Sequence, residues 1–82
     1  MPDMDPSVRA AALEALSDFS EDVPPGLVEP FLRDADPLVR FEAVSLLADM
    51  EQPGALAAIR SVVSDPDPDV RDLAHGVLDI HD

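Results

Sequence analysis

The chain has 82 residues, 18 of them acidic against 5 arginines, with no lysine and no cysteine, and its net charge is −13. Surfaces that bind nucleic acid need basic residues to neutralise phosphates, so this charge argues against nucleic acid and equally against anionic membranes. The lack of cysteine excludes disulfide scaffolds and thiolate metal sites. No run of about 18 apolar residues is present to span a membrane, and the acidic start is unlike a secretory signal. We therefore expect one cytoplasmic domain over residues 1–82.

A five-residue pattern occurs three times, at intervals of 31 residues. It reads Asp-Pro-Ser-Val-Arg at 5–9, Asp-Pro-Leu-Val-Arg at 36–40 and Asp-Pro-Asp-Val-Arg at 67–71. A fixed period of this length without insertions predicts a repeat architecture. Outside the pattern, the same spacing aligns three further sets of identical residues, which are Asp3/Asp34/Asp65, Ala12/Ala43/Ala74 and Leu16/Leu47/Leu78.

Each copy of the pattern predicts the start of a helix. The Asp carboxylate serves as an N-cap because it accepts hydrogen bonds from free backbone N–H groups, and Pro fits the first helical position, where its missing N–H costs nothing. Pro30 interrupts the second apolar segment, so that helix should be kinked or begin late. Apolar periodicity, together with the Pro-Gly and Asp-rich turns, predicts five helices, at about 6–19, 26–33, 37–50, 54–64 and 68–80.

The pattern Asp-Pro-x-Val-Arg-x-x-Ala-x-x-x-Leu, repeated in helix pairs, resembles the short HEAT-like repeats of the phycobilisome-lyase type. The resemblance covers nearly the whole chain, as about two and a half repeats whose cores begin near residues 5, 36 and 67. It implies an all-α fold, a right-handed α-solenoid of antiparallel helix pairs, with the Val-Arg helices lining a concave binding face. It also implies ladders of stacked side chains between adjacent repeats, which would comprise Asp5, Asp36, Asp67, Arg9, Arg40 and Arg71.

No group of residues indicates catalysis, a metal ion or a cofactor. The acidic stretch 65–69 resembles the start of a calcium loop, but the positions that need Gly and Glu hold Val70 and Gly76, so it predicts a capping turn. Motifs for a zinc-binding His pair, a catalytic nucleophile and a phosphate-binding glycine loop are all missing. His75 replaces Leu13 and Val44 of the earlier copies, and Asp79 replaces Ser17 and Ala48. Such polar replacements are typical of a solenoid cap; a ligand or pH-switch role is the alternative for His75. We therefore expect a protein that is not an enzyme and holds neither metal nor cofactor.

The third helix carries a candidate binding surface. Its apolar stripe, which includes Val39 and Ala43, predicts the core side. Leu38 and Phe41 fall on a different side when residues are placed about 100° apart. An exposed aromatic residue beside acidic residues is a plausible anchor for a partner, although Phe41 could instead pack over a neighbouring helix. Residues at the equivalent positions of the other two copies, 31 residues away, are added to this surface. The candidate partner-binding residues are then Leu38, Phe41, Glu42, Ser45, Ala10, Glu14, Asp69 and Asp72.

A second candidate surface is the outer side of the first helix, because no repeat precedes it in this sequence. Uncovered solenoid ends expose small apolar groups that stack on another copy or on a partner subunit, or are simply tolerated in water. The residues expected to be exposed there are Ala10, Ala11, Leu13 and Ser17.

These observations predict a non-catalytic interaction or scaffold module that binds a partner protein through the concave face, with a basic partner favoured by the charge. The alternative is a small accessory subunit that stabilises or completes a larger complex or enzyme, its acidity reflecting adaptation to high salt. About three repeats are needed to bury a continuous core, so we expect a monomer or weak homo-oligomer.

Overall fold

A proline begins each α-helix in residues 5–19, 22–50 and 52–81, the parts of the chain that the computed structural model describes. Proline suits the first position of a helix because a backbone N–H there would have no intrahelical acceptor, so the missing N–H of proline costs nothing. The described residues form helices and turns without a β-strand, as the all-α prediction required. The helices are α1 (Pro6–Leu16), α2 (Pro25–Val28), α3 (Pro37–Met50), α4 (Pro53–Arg60) and α5 (Pro68–His81).

Aspartates cap the three helices that begin the sequence repeats. Each carboxylate accepts a backbone N–H from the first turn, which satisfies one donor that the helix leaves free. Ser7 donates both its N–H and its hydroxyl to Asp5, and these bonds lower the pKa of the Asp5 carboxyl. The capping distances are 2.9 Å from Ser7 to Asp5, 2.9 Å from Leu38 to Asp36 and 3.1 Å from Val70 to Asp67.

Pro30 shortens the second helix, as the sequence predicts. The α-helical hydrogen bonding of α2 ends at Val28, and a tighter 3₁₀ segment continues over Glu29–Arg33. Proline has no N–H to donate to the residue four positions earlier, and its ring crowds that carbonyl, so the α-helix cannot continue unchanged. The tighter turn keeps Leu32 directed into the core.

The fourth helix is shorter than the sequence predicts. It ends at Arg60, and residues 61–64 form turns. The N–H of Ser61 donates to the carbonyl of Ala58 at 3.1 Å, and the Ser61 hydroxyl donates to that same carbonyl at 2.6 Å. Ser61 therefore occupies the carbonyl of Ala58 with two local hydrogen bonds, and these compete with the bond that a continuing α-helix would make to that carbonyl.

The helices form two layers with α3 at the centre. Helices α1, α3 and α5 pack side by side, while α2 with its 3₁₀ extension and α4 lie against α3. The shortest dimension of the molecule is 16 Å, which suits two helix layers whose axes are about 8–10 Å apart. The core residues of α3 lie on one side of the helix; they are Val39, Ala43, Val44, Leu46, Leu47 and Met50.

The prediction for the outer side of α1 is wrong for two residues. Ala10 is 6% exposed and Leu13 is 1% exposed, because this side of α1 packs against α3. Ala11 is exposed as expected, and Ser17 is partly buried. The remaining uncovered apolar positions lie elsewhere on the helix, at Val8, Ala12 and Ala15.

Candidate partner-binding cleft

Two arginine–aspartate pairs join successive repeats. Arg9 donates from Nε and Nη2 to the two carboxylate oxygens of Asp34, at 2.7 and 2.9 Å. Arg40 makes the same paired contact with Asp65, at 2.9 and 3.1 Å. All four side chains are mostly buried, and planar two-bond pairing of this kind is among the stronger charge-assisted contacts. The bond from Arg9 holds the pKa of the Asp34 carboxyl below its usual range.

The paired aspartates also shape the turns before the helices. Asp34 accepts the N–H of Asp36 at 2.9 Å, and Asp65 accepts the N–H of Asp67 at 2.9 Å. The ladder carboxylates are thus Asp34 and Asp65, whereas the resemblance assigned that place to the three capping aspartates, Asp5, Asp36 and Asp67. The sequence held a signal for this arrangement, because Asp34 and Asp65 align with each other in the 31-residue spacing.

The third arginine of the series differs from the first two. Arg71 is exposed, and its Nη1 donates a long hydrogen bond of 3.4 Å to the carbonyl of Asp65. The equivalent bond from Arg40 to the carbonyl of Asp34 is 2.7 Å. Within the described part of the chain, no carboxylate forms an ion pair with Arg71. The ladder therefore comprises two complete steps and a third arginine that faces solvent.

A cleft of about 310 Å³ lies between the first turns of α3 and α5. Leu38, Phe41 and Asp69, three of the residues predicted to bind a partner, meet there. Leu38 is 50% exposed, whereas Phe41 is partly buried, packs against the core and also lines the cleft. The packing alternative for Phe41 thus holds in part, and its role as an anchor stays a prediction. Pro37 and Asp67 complete the lining.

One wall of the cleft is apolar and the other is acidic. Asp67 uses one carboxylate oxygen to cap Val70, and Asp69 has no hydrogen-bond or ion-pair partner among the described residues. Both carboxylates lie at the N-terminus of α5, where the helix dipole favours negative charge. The arrangement suits a ligand group that combines apolar surface with a positive charge.

A second acidic feature lies where α1 meets α3. Burial raises the pKa of the Glu42 carboxyl, and the negative charge of Glu14 raises it further. Both residues belong to the predicted binding set, and among the described residues no hydrogen bond or ion pair joins either of them to a basic group. A positive charge placed near this pair would be favoured.

The other predicted binding residues lie outside the cleft lining. Ser45 is partly buried and Asp72 is exposed. Ala10 belongs to the core, so its methyl group is closed to a partner; it occupies the column of Phe41 but faces α3. The sequence predicts Asp67 as a cap and a ladder residue, not as part of a binding surface, and it does not single out Pro37. Their position one repeat apart, at the starts of aligned helices, was the available signal.

The described residues also bear on the predictions for a metal site and for His75. In residues 5–19, 22–50 and 52–81, no three His, Cys, Asp or Glu residues converge on a point where a metal could bind. His75 is exposed and lies with Nε2 3.0 Å from the carbonyl of Val63, where it ties α5 to the turn after α4. No described helix combines the length and apolar character that crossing a membrane requires.

Comparison with known families supports the repeat assignment. The family model for HEAT repeats matches residues 24–79, more than half of the chain. Comparisons with curated proteins and with solved structures gave no match.

Proposed function

Because this chain belongs to the HEAT repeat family, we propose that it is a non-catalytic module that binds a partner protein through the cleft between α3 and α5. HEAT repeats generally serve in protein–protein interaction or scaffolding, and their fold is typically non-catalytic. The observation that carries the proposal is the half-exposed Leu38 beside Phe41, facing two acidic residues across an open cleft. A large apolar side chain left in water next to an aromatic ring is typical of an interaction anchor. The 31-residue spacing further supports repeats of the short phycobilisome-lyase type.

The charge of the molecule supports a basic partner surface. A net charge of −13 accelerates encounter with a positively charged partner and makes association weaker at high salt. Screening acts over about 8 Å at physiological ionic strength, so charges near the cleft contribute most. The carboxylates of Asp67 and Asp69, which line the cleft, are such charges.

A second function, that of an accessory subunit in a larger complex, is supported by the outward side of α1. Val8 is 49% exposed, although the equivalent valines of α3 and α5 are fully buried. A partner subunit that covered this side would bury the same residue types that the internal repeats bury. If the acidity instead reflects adaptation to high salt, the melting temperature will rise steeply between low salt and 2 M KCl, a concentration chosen as roughly tenfold above physiological ionic strength.

Affinity capture with matched variants tests the main proposal. We expect wild-type protein to capture a partner from its native extract and Leu38→Asp to lose it. Leu27→Asp is the control, because Leu27 is 55% exposed and lies on α2, so it makes the same chemical change at similar exposure. Circular dichroism and melting curves establish that both variants fold. Equal partner recovery by both variants would overturn the proposal.

A further inference from the structure

We infer that the cleft between α3 and α5 receives an arginine side chain of the partner, with its methylene groups against Leu38 and Phe41 and its guanidinium at Asp67 and Asp69. This inference rests on the proposed function and specifies the chemistry of the partner. It depends on three properties of the cleft: its apolar wall, its unpaired carboxylate and its open shape.

The lining of the cleft holds no basic side chain among the described residues. Of the arginines nearest in sequence, Arg40 is paired with Asp65, and Arg71 donates to the carbonyl of Asp65. Asp69 has no partner in the described part of the chain, and Asp67 commits one oxygen to Val70. Two carboxylates outweigh the roughly half positive charge of the helix N-terminus, so the net local charge attracts a cation.

The apolar wall favours a cation that carries a hydrocarbon stem. Pro37, Leu38 and Phe41 present carbon atoms along one side of the cleft. Arginine and lysine both bury methylene stems on apolar surfaces while the charged end remains at a polar site. A bare metal ion or ammonium ion would leave this wall in contact with water.

Arginine suits the cleft better than lysine. A guanidinium carries a planar fork of donors that can serve two carboxylates, and it is more weakly hydrated than an ammonium group, so it enters a partly apolar cleft at a lower cost. Lysine offers a compact, strongly hydrated charge without such a fork. The cleft is open, with Leu38 half exposed, so it suits a side chain that projects from a polypeptide rather than an enclosed small molecule.

Peptide titration of the full chain provides the test. The probe is a blocked seven-residue peptide with one Leu-Arg pair flanked by Gly and Ser, compared with versions that carry lysine, citrulline or norleucine in place of arginine. Amide NMR shifts report where each peptide binds. We expect the arginine peptide to shift residues of the cleft lining, and citrulline, which keeps the shape but loses the charge, to bind about tenfold more weakly. Lysine should fall between them.

Two matched variants distinguish specific binding in the cleft from non-specific attraction of the peptide to the negative charge of the protein. Asp69→Asn should weaken the arginine peptide by about tenfold, whereas Asp49→Asn removes the same charge from an exposed position near the other end of α3 and should change affinity little. Equal binding of the citrulline or norleucine peptide would overturn the inference in favour of a purely apolar site. Equal effects of both variants would overturn it in favour of non-specific attraction.

The two proposals fail in different ways. If partner capture depends on Leu38 but the arginine peptide leaves the cleft resonances unshifted, the inference is wrong and the proposed function stands. If the peptide binds as expected but Leu38→Asp captures the partner as well as wild type, the cleft has the stated chemistry and the proposed function is wrong.

Discussion

Helices α1 and α3 begin with the same sequence pattern but differ in how much of each is covered. Val8 and Val39 occupy the same column, yet Val8 is 49% exposed and Val39 is fully buried. Ala12 and Ala43 differ in the same way. Helix α3 has neighbours on both sides and beneath it, whereas α1 packs on α3 from one side. The repeat sequence thus determines the helix, and the position in the stack determines how much each identical residue contributes to stability.

Helix α5 differs from α3 in another respect. Val70 and Ala74 of α5 are fully buried, as are the equivalent valine and alanine of α3, but Arg71 of α5 is exposed to solvent. Arg40 is paired and mostly buried, whereas Arg71 contacts only a backbone carbonyl among the described residues. The same residue type is therefore a buried partner in one helix and an exposed charge in the other.

The arginine comparison predicts the largest effect. Arg40→Gln removes the partner of the buried Asp65 carboxylate and should lower the free energy of unfolding by about 3 kcal/mol, because a buried charge is left unpaired. Arg71→Gln is the matched control and should change it by about 0.5 kcal/mol or less. Urea unfolding followed by circular dichroism measures both. Similar losses in the two variants would contradict the difference between α3 and α5.

The valine comparison predicts an intermediate effect. Val39→Ala should lower the free energy of unfolding by about 2 kcal/mol, because it removes two fully buried methyl groups from the packed core. Val8→Ala should remain within about 0.5 kcal/mol of wild type, since alanine has the higher helix propensity and little burial is lost. The same urea titration applies. A loss at Val8 as large as at Val39 would show that the outward side of α1 is covered in solution, by a second copy or by residues outside the described parts.

Local features of the fold could be predicted from the sequence, while contacts between repeats could not. Helix starts follow from Asp-Pro pairs, and the break at Pro30 follows from its missing N–H, because both depend on neighbouring residues. A helical wheel separates apolar from polar sides but does not say which side meets which neighbour. Ala10 and Leu13 were therefore placed on the surface although they face α3.

The candidate site shows the same division. Leu38, Phe41 and Asp69 could be proposed from their position away from the core stripe. Asp67 joins them only because the starts of α3 and α5 lie side by side, although Pro37 and Asp67 are 30 residues apart in sequence. The ladder pairing likewise joins residues 25 positions apart, which no local pattern encodes.

The Arg9–Asp34 pair predicts a pH dependence of the folded state's stability. Because Arg9 lowers the pKa of Asp34 in the folded state, the pair stabilises the fold fully above the unfolded value of about 3.9 and loses this contribution as the pH falls through the lower folded value. Asp34→Asn should therefore be less stable than wild type at pH 7, and the difference should shrink below about pH 4. Asp49→Asn, at an exposed position on α3, is the control. Acid titration of the urea midpoint measures both, and a difference that stays constant down to pH 2, roughly two units below the unfolded value, would contradict the pairing.

Glu42 predicts the smallest effect, with the opposite sign. Burial and the charge of Glu14 raise its pKa in the folded state, so the charged form is unfavourable at neutral pH, and this penalty disappears as the pH falls below the unfolded value of about 4.3. Glu42→Gln should therefore raise the free energy of unfolding at pH 7 by about 0.5 kcal/mol or less, with the gain vanishing near pH 4. Glu29→Gln, at an exposed position outside α1 and α3, should change stability less. Stability curves from pH 4 to pH 8, a range that begins about at the unfolded value, test the sign. A loss of stability at pH 7 would mean that the charged Glu42 has a favourable partner in the folded state. A positive charge from a partner protein would then gain little by approaching Glu14 and Glu42.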